Sequence, residues 1–169
     1  VDEVIKHIAA CQLKLEWILE THAHADHLSA ATYLRSQLGG KIGMSAAIVA
    51  VQQLFAEIFH IQADFLHDGS QFDHLFQEGE TFNIGQLSAK ALATPGHTPA
   101  DMSWFIADCV FVGDTVFMPD VGTARCDFPG GNAQTMYQSI KTLLAKAKGL
   151  RMFVCHDYPA GRRDYRYET

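Results

Sequence analysis

The chain has 169 residues, 48% hydrophobic and 19% charged, with a formal net charge of −6 and a pI near 5.8. That length buries a real core in a single domain, residues 1–169, and the acidic balance removes the electrostatic case for nucleic acid. No apolar run approaches the roughly 20 residues of a membrane span and no signal-peptide pattern is visible, so no membrane association is expected.

In chain order, residues 2–12 carry Val4, Ile5, Ile8 and Ala9 at helical spacing and read as an amphipathic helix. Residues 15–20 alternate and read as a strand. Leu28 to Leu34 has helical spacing, and Gly39-Gly40 supplies a stop. Residues 41–44 read as a short strand and 46–59 as a second helix with Val51, Leu54, Phe55 and Ile58 on its apolar face. Between His60 and Glu80 the pattern breaks down into turn-like segments; His60, His67 and His74 occur there without a ligand spacing and read as surface residues. Strands are expected over 81–84 and 87–93, and a strand pair over 102–107 and 109–112. A long loop covers 116–131, and Asn132 caps a helix running to about Lys148 with Met136, Ile140, Leu143 and Leu144 buried. Residues 151–155 read as the last strand, and the Arg162, Arg163 and Arg166 cluster as a solvated tail.

The chemistry concentrates at strand ends. Thr21-His22-Ala23-His24-Ala25-Asp26-His27 places three histidines and one aspartate within six positions, between a strand and a helix. In extended chain His22 and His24 point the same way, and Asp26 and His27 lie past the bend. Imidazoles with a carboxylate suit a divalent transition metal. Chance histidines in a polar loop are the plain alternative, and four donors at this spacing outweigh it. His97 sits inside the rigid Thr94-Pro95-Gly96-His97-Thr98-Pro99 loop. Asp114 follows the apolar run Val110-Phe111-Val112, where a carboxylate needs a partner, and His156 ends the last strand. Taken singly, His97 could be a turn residue and Asp114 a cap. Cys11, Cys109, Cys126 and Cys155 form no Cys-x-x-Cys pair, which favours a reducing compartment over a disulfide framework. The cytoplasm is therefore expected, or the mitochondrial matrix in a eukaryote.

These residues together resemble the metallo-β-lactamase superfamily. Thr21 to His27 matches its His-x-His-x-Asp-His signature, and Thr94 to Thr98, Gly113-Asp114-Thr115 and His156 match its later motifs. The resemblance implies an αββα sandwich of the α/β (α+β) class. In that superfamily several further strands precede the first motif, whereas 21 residues precede it here, so a piece of a domain incomplete at both ends is expected. Gly122 to Gly131 and Cys155-His156-Asp157-Tyr158 are similar to the persulfide dioxygenases of the glyoxalase II-like branch, in particular the bacterial β-lactamase hydrolase-like proteins.

By that resemblance, His22, His97 and Asp114 would hold one Fe(II) per chain, with zinc an expected substitute in purified material, and would leave coordination positions open. The implied reaction oxidises glutathione persulfide with O₂ to sulfite and glutathione. His24, Asp26, His27 and His156 would orient the ligands or water. Arg125 would pair with a glutathione carboxylate or hold its own loop through a salt bridge, with Asp127 orienting it. Tyr158 would bond the substrate or an iron ligand, or be a satisfied core tyrosine. Cys126 and Cys155 receive no catalytic role, and a homodimer is expected.

The first rival is a dinuclear thioester hydrolase, acting on a substrate such as S-lactoylglutathione. There His22, His24 and His97 hold one metal, Asp26, His27 and His156 the other, and Asp114 bridges them. A metal-holding module without catalysis is the second rival, and β-lactam hydrolysis ranks below both.

Overall fold

A computed structural model describes residues 1–24, 29–61 and 65–158; Asp26, His27, Leu28 and the Arg162, Arg163 and Arg166 cluster lie outside the described residues. The elements in order are α1 (Asp2–Ala10), β1 (Trp17–Leu19), α2 (Ala31–Leu38), β2 (Lys41–Ser45), α3 (Ile48–Phe59), β3 (His74–Phe76), β4 (Thr81–Ile84), β5 (Leu87–Ala93), β6 (Met102–Ile106), β7 (Cys109–Phe111), α4 (Ala133–Lys146) and β8 (Arg151–Phe153). β1, β2 and β3 form a parallel sheet in that order. β4 to β8 form a second sheet in chain order, antiparallel except for the parallel pair β7–β8.

Three apolar clusters fix the layers. Phe76, Ala91, Met102 and Trp104, with Trp17 and Phe82 against them, fill the space between the two sheets. Met44, Ile48, Val51 and Ala100 join α3 to β2. Leu92, Val110, Val112, Leu143 and Ala147 join α4 to the five-stranded sheet. Each sheet thus buries one face on the other sheet and one on a helix, which is the expected αββα order.

Where the structure departs from the sequence reading, short range is the cause. α1 has the expected apolar face but none of its residues is buried among the described residues, and Val4 is 52% exposed. Ile5 and Ile8 are half-buried, and Tyr33 Oη of α2 donates to Asp2 Oδ1 at 3.0 Å. α2 starts at Ala31, with Ser29 and Ala30 of the expected helical run before its first turn. In α3 only Ile48 and Val51 are buried, and Ile58 on the expected apolar face is 45% exposed. Leu144 of α4 is likewise exposed, and Ser139 takes its place on the buried face. The Asn132 cap is present: its side chain accepts from Thr135 N at 2.8 Å.

β3 falls in the stretch with no visible pattern, because three residues cannot display a period of two. It is set by its neighbours: Asp73 N donates to Ile42 O at 2.9 Å, and Asp73 Oδ2 accepts from Ile42 N at 2.8 Å. His74 is accordingly half-buried rather than a surface residue, held 2.6 Å from Glu80 Oε1 and edge-on to Phe76. His60 is exposed, with a left-handed φ of 50° at the end of α3, and His67 is half-buried.

The topology also sets a rim. β5 and β7 both run against β6, and β8 runs with β7, so β5, β7 and β8 point the same way. Their C-terminal ends open on one edge of the sandwich. The segment after β1 is stitched to that edge where β6 begins: Met102 N donates to Thr21 O at 2.8 Å and Trp104 Nε1 to Glu20 O at 3.2 Å.

Candidate metal centre

Four separate segments deliver their side chains to this rim. His22 and His24 follow β1, His97 follows β5, Asp114 follows β7 and His156 follows β8. His22 Nε2 and His97 Nε2 lie 3.7 and 3.5 Å from the same oxygen, Asp114 Oδ2. The other oxygen, Oδ1, lies 3.7 Å from His156 Nε2. His24 Nδ1 is 2.9 Å from His97 Nε2, and one donor atom from each of His22, His24 and His97 falls within 4.8 Å of the other two.

The hydrogen bonds behind the rings set their orientation. His97 Nδ1 donates to the backbone carbonyl of Arg125 at 2.7 Å. A carbonyl can only accept, so the proton sits on Nδ1 and the Nε2 lone pair faces the cluster. Gly96, at φ 150°, lets the loop pass against the Met136 backbone, where a Cβ would collide. Asn132 N donates to Gly96 O at 2.8 Å, locking the loop to the start of α4. Behind both loops runs a chain of fully buried hydroxyls: Thr115 Oγ1 donates to Thr94 Oγ1, which lies 3.0 Å from Ser103 Oγ.

Burial dominates the electrostatics. Asp114 is 6% exposed, and its Oδ1 has no hydrogen-bond partner among the described residues. A buried carboxylate oxygen left so is costly unless a cation faces it. Three imidazoles and a carboxylate form a donor set of the right hardness for zinc or iron. Ligands at roughly 2.0–2.2 Å from one ion lie roughly 3–3.5 Å from one another, close to the spacing of His22 and His97 from Asp114. The residues fit a metal ion. Beside His97, burial pushes the Asp101 carboxyl up to about 6, against two hydrogen bonds from Thr98. Burial also raises the thiols of Cys126 and Cys155, which disfavours either as a nucleophile.

The signature match across chain and fold decides the family. Residues 10–156 match the family model described as the metallo-beta-lactamase superfamily. The chain belongs to that superfamily. A probable metallo-hydrolase from Burkholderia pseudomallei is 46% identical over 99% of this chain and 60% of its own length. A mitochondrial persulfide dioxygenase, ETHE1 of Mus musculus, is 32% identical over 86% of this chain and 50% of its own. The crystal structure of ETHE1 from Myxococcus xanthus superposes with a TM-score of 0.75 at 29% identity, covering 95% of this chain and 62% of that one. The chain thus spans 50 to 60% of the length of these curated relatives.

The superfamily domain brings His22, His24, His97, Asp114 and His156 together, and the histidine triad in this fold supports metal binding. Arg125 and Tyr158 line the same cleft, of about 340 Å³. The Arg125 guanidinium lies over the Phe128 ring at 4.2 Å, with Asp127 3.7 Å away, and Tyr158 stacks on His156 at 5.1 Å. Tyr158 is 53% exposed, so it is not a core tyrosine. Phe117 and Phe128 pack on Tyr158 and His24; Phe128 lies within the Gly122 to Gly131 stretch, whereas Phe117 stands outside every motif the sequence offered. No helix among the described residues is long and apolar enough to cross a membrane.

Proposed function

We propose that this domain is a persulfide dioxygenase, in which His22, His97 and Asp114 hold one Fe(II) and glutathione persulfide, O₂ and water yield glutathione and sulfite. The observation that carries the reading is the convergence of two histidine Nε2 atoms on one oxygen of Asp114. Two histidines and a carboxylate on one face of an ion leave the opposite positions open. Bound iron there would supply O₂ activation and a seat for the terminal sulfur. The chain's own residues do the rest. The Arg125 carbonyl keeps His97 Nε2 directed inward. Arg125 lines the cleft with its side chain 67% exposed, and its planar fork would suit a glutathione carboxylate. Phe117 and Phe128 add two apolar rings to a cleft otherwise lined mostly by polar side chains. The 32% identity to a persulfide dioxygenase supports this chemistry.

A second reading has its own observation. Asp114 presents Oδ2 to His22 and His97 but Oδ1 to His156, as a carboxylate shared between two metals would. His24 completes a three-histidine set with His22 and His97, and a relative at 46% identity carries the name of a metallo-hydrolase. In that form the centre cleaves a thioester of the glyoxalase II type.

The test is O₂ uptake by full-length, anaerobically Fe(II)-loaded protein on adding glutathione persulfide, with sulfite measured alongside. Uptake matched by sulfite and abolished in His97→Ala is expected. No uptake by a folded, iron-loaded sample, together with thioester cleavage and two metals per chain, would replace the dioxygenase with the hydrolase.

A further inference from the structure

Thr21 stands where three site-bearing segments meet. Its Oγ1 lies 3.2 Å from His22 Nδ1 and 3.7 Å from Cys155 Sγ. Its side chain also occupies the space over Gly113, where an added Cβ would stand 2.8 Å from Thr21 Cβ and 2.9 Å from Oγ1. Gly113 precedes Asp114, and Cys155 precedes His156. Gly113 O in turn accepts from Cys155 N at 3.4 Å, and Thr21 O accepts from Met102 N at 2.8 Å. One hydroxyl therefore reaches the ring of His22 and the Cys155 sulfur, and fills the space that a side chain at Gly113 would need.

We propose that Thr21 is the positioning residue of His22, taking the Nδ1 proton on its hydroxyl so that Nε2 faces the metal centre, and that Gly113 and Cys155 hold it there. A neutral imidazole carries one N–H, so a ring that offers Nε2 to an ion must carry its proton on Nδ1, and that proton needs an acceptor. Thr21 Oγ1 is within reach of it. A hydroxyl has two lone pairs and one proton: one lone pair receives His22 Nδ1–H, and the proton turns to the Cys155 sulfur, a weak acceptor. Gly113, at φ 55°, leaves room for this contact; any side chain there would push Thr21 off the ring. His97 is held in the same tautomer by a backbone carbonyl, whereas the Thr21 contact on His22 comes from a side chain and is open to substitution.

The inference rests on the metal-centre reading and is independent of which reaction the centre runs. Its test compares Thr21→Val, which keeps the shape and removes the acceptor, with Thr21→Ser, which keeps the hydroxyl. Zinc affinity of the full-length protein is measured by competition with a chelator, and long-range proton–nitrogen NMR of the zinc-loaded wild type reads the His22 tautomer. Thr21→Val is expected to bind zinc about 10–100-fold more weakly, the usual cost of losing such an outer partner, with the metal-free unfolding midpoint unchanged. Thr21→Ser should stay close to wild type, and the wild-type spectrum should place the proton on Nδ1. Unchanged affinity in Thr21→Val, an equal loss in Thr21→Ser, or a proton on His22 Nε2 overturns the proposal. A wild type that binds no zinc overturns the metal-centre reading and this inference with it. A proton on His22 Nε2 in the wild-type spectrum overturns the proposal even where Thr21→Val does not fold, and a loss of affinity in Thr21→Ser equal to that of a Thr21→Ala control then overturns it as well.

Discussion

His156 Nε2 stands 3.7 Å from Asp114 Oδ1, the oxygen not shared with His22 and His97. His156 is thus one carboxylate away from the one-iron set, and its removal distinguishes the two reactions. In the dioxygenase, His156→Ala keeps one metal per chain while His97→Ala loses it. Metal analysis of both variants checks this. A wild type holding two metals that falls to one in His156→Ala is the hydrolase result.

Asp114→Asn should uncouple metal from stability. A metal that binds only the folded state adds about 2.7 kcal/mol at a concentration 100 times its Kd. The variant keeps the side-chain shape and loses the buried charge at 6% exposure. A chelator should lower the thermal midpoint of the wild type and leave that of Asp114→Asn where it was. Equal chelator shifts in the two proteins would contradict the assignment of Asp114 as a ligand.

Gly96→Ala should damage both fold and site. The added methyl would meet the Met136 backbone at a φ of 150°, so neither loop nor helix can yield cheaply. Strain at such a position costs about 1–3 kcal/mol, with the collision in addition. Urea unfolding should show the loss, and zinc affinity should fall with it because His97 is the next residue.

Asp73 gives a small acid dependence of calculable sign. The backbone N–H of Ile42, and after it Arg35, hold its carboxyl below the usual range. Its folded pKa lies below the unfolded value of about 3.9, so the stabilisation is present above that pH and is lost as pH falls through the folded pKa. The side chain is 39% exposed, and solvent screening keeps the effect below about 1 kcal/mol. Asp73→Asn should be slightly less stable than wild type at neutral pH, and the gap in denaturant midpoints should close in acid.

Arg125→Ala separates substrate binding from the metal. The side chain is 67% exposed and touches Phe128 and Asp127, not a ligand ring. Loss of a carboxylate contact worth about 1.4 kcal/mol raises KM about tenfold. Metal content and kcat should be retained. An unchanged KM for glutathione persulfide would reduce Arg125 to a loop brace.

Local pattern determined much of this protein. The strands over 81–84 and 87–93, the Asn132 cap and the placement of His22, His97, Asp114 and His156 at strand ends are all consequences of neighbours within a few residues, and the structure reproduces them. What only the tertiary structure decided is which donors meet. His22 and His156 are 134 positions apart, and both reach Asp114 because β8 pairs with β7 while the segment after β1 is bonded to the start of β6. The Arg125 carbonyl behind His97 and the Thr21 hydroxyl behind His22 had no visible signal, since a backbone acceptor has no residue type and a lone threonine no period. The partly exposed apolar face of α1 and the three-residue β3 follow the same logic. An apolar stripe shows that a face can be buried, but only a packed neighbour buries it, and a very short strand exists only through the strand beside it.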